Sequence, residues 1–139
     1  MIAIAESGST KCEWVIIDES SIEVARIRTQ GFNPYFHSSE LVKTKLLGTD
    51  EFSSFLSKIK EVYFYGAGCS SSELNEIVKV GLKGAFPDAK IHVDHDLLAS
   101  AYSLYEGKPL VSCILGTGSN SCYYNGDELN QVNPALGFI

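Results

Sequence analysis

Apolar and polar positions along the chain alternate in short runs at first and recur at helical spacing later. Ile2-Ala3-Ile4-Ala5, Cys12-Glu13-Trp14-Val15-Ile16-Ile17 and Glu23-Val24-Ala25-Arg26-Ile27-Arg28-Thr29 are short and rich in β-branched residues. They predict three strands joined by tight turns, an antiparallel meander. Gly31-Phe32-Asn33-Pro34-Tyr35 breaks the pattern, and Pro34 keeps Asn33 out of the helical region. From Ser38 the spacing is helical, with Leu41, Val42, Lys45 and Leu46 leading to Gly48. Thr49-Asp50 can cap a second short helix carrying Phe52, Phe55, Leu56 and Ile59. Val62-Tyr63-Phe64-Tyr65 predicts a strand, and Gly66-Ala67-Gly68-Cys69-Ser70 a turn. A helix over 72–86 follows, with Leu74, Ile77, Val78 and Leu82 as its buried stripe, stopped by Pro87-Asp88. Lys90-Ile91-His92-Val93 is the next strand, and a helix over 97–105 turns Leu98, Ala101 and Leu104 inward.

Glu106-Gly107-Lys108-Pro109 is the best boundary, dividing the chain into domains 1–108 and 109–139. Beyond it, Leu110 to Leu115 and Ser121 to Tyr124 read as strands around the turn Gly116-Thr117-Gly118-Ser119-Asn120. A hairpin at Asn125-Gly126 and a strand over 128–132 complete what looks like the opening meander of a second, truncated domain. Two stretches align without a gap: Ile4 falls on Ile114, Gly8 on Gly118, Ser9 on Ser119 and Cys12 on Cys122. Both are strand, polar glycine turn, strand, which predicts two related halves facing one ligand. Glycines let the backbone approach a ligand, and successive amides form a nest for phosphate oxygens.

Composition narrows the classes. The 139 residues carry a formal net charge of -6, which argues against general binding to nucleic acid or a membrane surface. No apolar run reaches transmembrane length and no basic-then-apolar leader is visible, so a cytoplasmic protein is expected. Cys12, Cys69, Cys113 and Cys122 show no metal-binding spacing. They are expected as reduced thiols, with Cys12, Cys113 and Cys122 in strand cores. His92 and His95 are expected at a surface or strand end. Two residues keep two readings each. Asn33 is either a turn residue or an amide aimed into a cleft. Asp96 is either the N-cap of its helix or a catalytic carboxylate.

Five stretches, Ala5 to Lys11, Gly31 to Pro34, Tyr65 to Cys69, Asp96 to Ala101 and Leu115 to Ser121, resemble the BadF/BadG/BcrA/BcrD ATPase family, and within it N-acetylglucosamine kinases. The resemblance implies an α/β fold of the ribonuclease H-like actin/hexokinase type, βββαβαβα, followed by the first strands of a second such domain. It implies an ATP-dependent sugar kinase using ATP and Mg²⁺, with a small-molecule sugar as its partner. Gly8, Ser9, Thr10 and Lys11 would form one phosphate loop, and Gly116, Thr117, Gly118 and Ser119 the other. Asp96 would be the general base; Asn33, Gly68 and Asp96 would hold the sugar. Glu6 stands where the family carries an Asp near the metal. Alternatives are an ATPase activator of the 2-hydroxyacyl-CoA dehydratase type and a non-catalytic sugar- or nucleotide-sensing module. A homodimer is left open. The family's adenosine-binding and metal-supporting segments would follow Ile139, so these 139 residues alone are expected to turn over ATP poorly.

Overall fold

Strict alternation builds the first sheet. In β1 (Ile2–Ser7) Ala3, Ala5 and Ser7 are buried, and in β2 (Lys11–Ile17) Cys12, Trp14 and Ile16 are buried. A computed structural model describes residues 1–116 and 118–131 and the backbone of 136–137. β2 pairs antiparallel with β1 and with β3 (Glu23–Gln30), as the meander requires. On its other side β1 pairs in parallel with β4 (Glu61–Gly66), which pairs in parallel with β5 (Lys90–His95). The order is β3-β2-β1-β4-β5.

Helices α1 (Ser39–Leu47) and α2 (Ser72–Ala85) cover the buried face of this sheet. Ser38 and Ser71 cap them, each hydroxyl accepting an amide N–H from Leu41 or Leu74 at 3.3 Å. Val42 and Leu46 of α1 and Val78 and Leu82 of α2 meet Trp14, Phe52, Phe64 and Phe86 in the core. Trp14 lies edge-on to Phe52, ring centroids 5.2 Å apart. The expected helix after Thr49 is only a 3-10 turn over Asp50–Phe52. Thr49 spends its hydroxyl on the Lys45 carbonyl instead of capping, and loose turns carry the chain to Ile59. Phe52 and Ile59 are nevertheless buried, so packing retained the apolar spacing without the helix.

α3 (Asp96–Leu104) behaves differently. Its buried residues Leu97 and Ala101 join Cys122 and Tyr124 in a second, smaller core. That core belongs to a sheet of β6 (Leu110–Leu115), β7 (Gly118–Tyr124), β8 (Leu129–Asn130) and β9 (Leu136–Gly137). Ser100 Oγ meets the buried Ser112 Oγ of β6 at 2.6 Å. Leu104, expected inward, is 56% exposed because α3 turns its buried face to β6 and β7. Cys113, expected in the core, is exposed: Ser112 takes the inward position of β6 and alternation turns its neighbour out. The strand expected over 128–132 forms only at Leu129–Asn130, and position 132 lies outside the described residues. Among the described residues no helix is long and apolar enough to cross a membrane.

Candidate active site

Strand register gathers the site. Ser7 ends β1 opposite Gly66, and Gly66 ends β4 opposite His95, the last residue of β5. Three parallel strands thus deliver their following loops to one edge, where open α/β sheets bind ligands. The β6–β7 turn faces these loops across a cleft of about 690 Å³. Its walls include Glu6, Gly8 to Lys11, Asn33, Gly68 and Asp96 on one side, and Gly116, Gly118 and Ser119 on the other. Every expected site residue that is described lines this one cleft; Thr117 lies outside the described residues.

The two glycine turns share an order but not a register. In the first, four residues separate the paired Ser7 and Cys12, and Gly8 N donates to Lys11 O at 2.9 Å. In the second, Leu115 pairs with Ser119, and Gly116 N donates to Gly118 O at 2.8 Å. Gly118 and Ser119 are therefore already strand residues, whereas Gly8 and Ser9 lie in the turn. Gly8 N and Gly116 N are committed to closing the turns, while the exposed Ser9 and Thr10 line the cleft.

Asn33 is only 7% exposed, and its Oδ1 accepts the Tyr35 amide at 3.0 Å. Its carbonyl receives the Phe36 and His37 amides, and its own N–H donates to His37 Nδ1 at 3.1 Å. The turn reading thus holds for the oxygen, while Nδ2 makes no hydrogen bond to a described residue and borders the cleft. Gly68 has φ +82, and a Cβ there would overlap Asn33 Oδ1 and crowd Tyr35. Only glycine suits both demands.

Asp96 is not the cap of α3. His95 is, its Nδ1 accepting the Leu97 amide at 3.2 Å. Asp96 Oδ1 lies 2.8 Å from His95 Nδ1 and accepts the same Leu97 amide at 2.9 Å. That leaves Oδ2 without a hydrogen bond to a described residue, on a carboxyl group that lines the cleft. Glu6 projects from β1 into the same space. Burial by the walls pushes its carboxyl above the ordinary value, Asp96 and Glu13 add to the rise, and Lys11 opposes it. Tyr35, His95 and Gln131 also line the cleft. For His95 the sequence held a signal, its place just before a helix; for Tyr35 and Gln131 it held none.

A candidate N-acetylglucosamine kinase from Porphyromonas gingivalis is 36% identical and superposes with a TM-score of 0.85, over 94% of this chain and 47% of that one. This chain has the actin/hexokinase-type ATPase fold. A glucokinase of the ROK family from Streptomyces griseus, solved with glucose and AMPPNP, matches at 14% identity and a TM-score of 0.60, over 97% and 48% of the two chains. A candidate sugar kinase from Cytophaga hutchinsonii matches at 16% and 0.53, over 91% and 49%. The chain spans about half the length of these relatives. No protein-family model matches it, and no curated protein does.

Proposed function

We propose that this chain is the N-terminal part of an ATP-dependent kinase that phosphorylates N-acetylglucosamine or a related amino sugar. The observation that carries the reading is the cleft itself: glycine turns from two sheets face each other across it, and Asp96 and Asn33 line the same space. The 36% identity to a candidate N-acetylglucosamine kinase supports the sugar class. Residues 1–108 and 109–139 serve in this proposal as the two walls of the cleft, in a cytoplasmic enzyme.

The roles follow from the chemistry. Phosphoryl transfer needs positioning and charge neutralisation more than covalent participation. Ser9 and Thr10 would hold phosphate oxygens through amides and hydroxyls and Ser119 through its hydroxyl, and Lys11 would offset their charge. Asn33 Nδ2 and the Gly68 backbone would orient the sugar. Asp96 Oδ2 would accept the proton of the attacking hydroxyl, while Oδ1 stays fixed by the Leu97 amide. Mg²⁺ arrives on phosphates and asks a protein for one or two carboxylates. Glu6 fits that demand, a hard-oxygen donor facing the cleft, although among the described residues no group of three acidic, His or Cys side chains forms a ready cage. Bound with ATP, the ion would supply neutralisation of phosphate charge.

Thiol exposure weighs against the dehydratase-activator reading, because Cys113 alone of the four cysteines is exposed. Cys12 and Cys69 are enclosed, and burial pushes both thiols up to about 12. Neither presents a thiolate at a surface. Titration calorimetry with N-acetylglucosamine tests the proposal. Heat that disappears in Asn33→Ala and Asp96→Ala supports it. Phosphate binding without any sugar binding overturns the sugar and favours a sensing or ATPase module.

A further inference from the structure

Ser7 closes β1 as a completely buried polar residue, and its hydroxyl joins two loops that lie far apart in sequence. Oγ accepts the Phe32 amide N–H at 2.9 Å and donates to the Gly8 carbonyl at 3.3 Å. A hydroxyl has one proton to give and two lone pairs, so both bonds coexist. Gly31 completes the joint. A Cβ there would overlap Gly8 O and stand 2.8 Å from Ser9 C and 2.9 Å from Thr10 N, all backbone atoms that no rotamer change can move aside. Phe32 is fully buried, so the segment is anchored where it touches the loop. Asn33 follows immediately, its oxygen and carbonyl already fixed by the Tyr35, Phe36 and His37 amides. The loop 8–10 and the segment 31–33 therefore meet at a joint of backbone against backbone, closed by one buried hydroxyl.

We propose that Ser7 and Gly31 are positioning residues that couple the phosphate subsite to the sugar subsite, so that filling either one tightens the other. The inference rests on the kinase reading of the cleft. A ligand held by Ser9 and Thr10 orders the loop; the loop, through Ser7 and Gly31, sets where the segment 31–33 presents Asn33 Nδ2. The second ligand then has less left to order, which is a coupling free energy and is reciprocal.

The probes are tripolyphosphate with Mg²⁺, which presents phosphates without requiring an adenosine site, and N-acetylglucosamine. Calorimetry on this chain should show each tightening the other by about fivefold or more, equally in both orders of addition. Ser7→Ala and Gly31→Ala, checked for folding by circular dichroism, should each bring that ratio to within about twofold of unity. A residue that only supported the fold would weaken both ligands and leave the ratio alone. An unchanged ratio in the folded variants, or no coupling in the wild type, overturns the inference. Hydrogen exchange needs no variant: tripolyphosphate alone should raise protection of the Phe32 amide, and unchanged protection is equally fatal. A wild type that binds tripolyphosphate but no sugar sinks the kinase reading itself, an outcome distinct from two ligands binding independently.

Discussion

At the scale of single residues the carboxylates carry the sharpest expectations. Asp96→Asn keeps the size of the side chain and removes its basicity. In a catalytically complete protein it should lower turnover by about 10²–10⁴-fold with little change in sugar affinity, a split that steady-state kinetics and calorimetry read separately. Glu6 makes the opposite kind of prediction, about stability. Its folded pKa is raised, chiefly by burial, so ionising it costs the folded state at neutral pH. Glu6→Gln should melt higher than the wild type at pH 7. The difference should shrink as pH falls through the raised value and vanish below the ordinary carboxylate range. It should be small, because the side chain is exposed to the cleft and solvent screens it. The thiols divide by exposure. Cys113 should be alkylated quickly by iodoacetamide at neutral pH, while Cys12 and Cys69 should resist until the protein is unfolded, as peptide mass mapping would show.

At the scale of elements, two contacts decide how helices sit. Gly81 lets α2 approach α1: a Cβ there would stand 2.6 Å from Ser39 O and 2.7 Å from Val42 Cβ. Gly81→Ala should destabilise by about 1–3 kcal/mol in urea denaturation through overpacking, despite alanine's better helix propensity. The Ser100–Ser112 pair sets α3 against β6. Ser112→Ala leaves Ser100 with no partner on that strand and should also cost about 1–3 kcal/mol. α3 further sits in an aromatic series, Tyr65 to Tyr102 to Tyr124 to Tyr105, with ring centroids 5.3–6.3 Å apart. The helix that bears Asp96 at its mouth is thus fastened to the second sheet at its side and to the first sheet at its start.

At the scale of the whole molecule, one wall of the cleft is a five-stranded sheet with its own core and the other a small sheet with a smaller core. The chain spans about half of its solved relatives. A coupled assay on these 139 residues should therefore show no useful turnover of ATP with N-acetylglucosamine. Turnover at the rate of a complete kinase would mean that everything needed for catalysis is already present.

The strands, the helices from Ser38 and Ser71 and the two glycine turns were legible along the chain, because each is set by local spacing and by capping or turn residues. Local spacing left Asn33 and Asp96 with two readings each, and the set of cleft residues came from the family resemblance rather than from spacing. Three matters were decided only in three dimensions. His95 rather than Asp96 caps α3, because the chain arrives from β5 with the imidazole over the Leu97 amide. α3 buries its face against β6 and β7, which exposes Leu104 and, with Ser112 pointing inward, Cys113. Ser7 accepts the Phe32 amide, and Gly31 abuts Gly8 to Thr10, across a long stretch of sequence that no local pattern spans. Sequence spacing determines what a segment can form, since propensity and amphipathicity act over a few residues. Which polar atoms remain for a ligand is settled only when distant strands meet and satisfy the others.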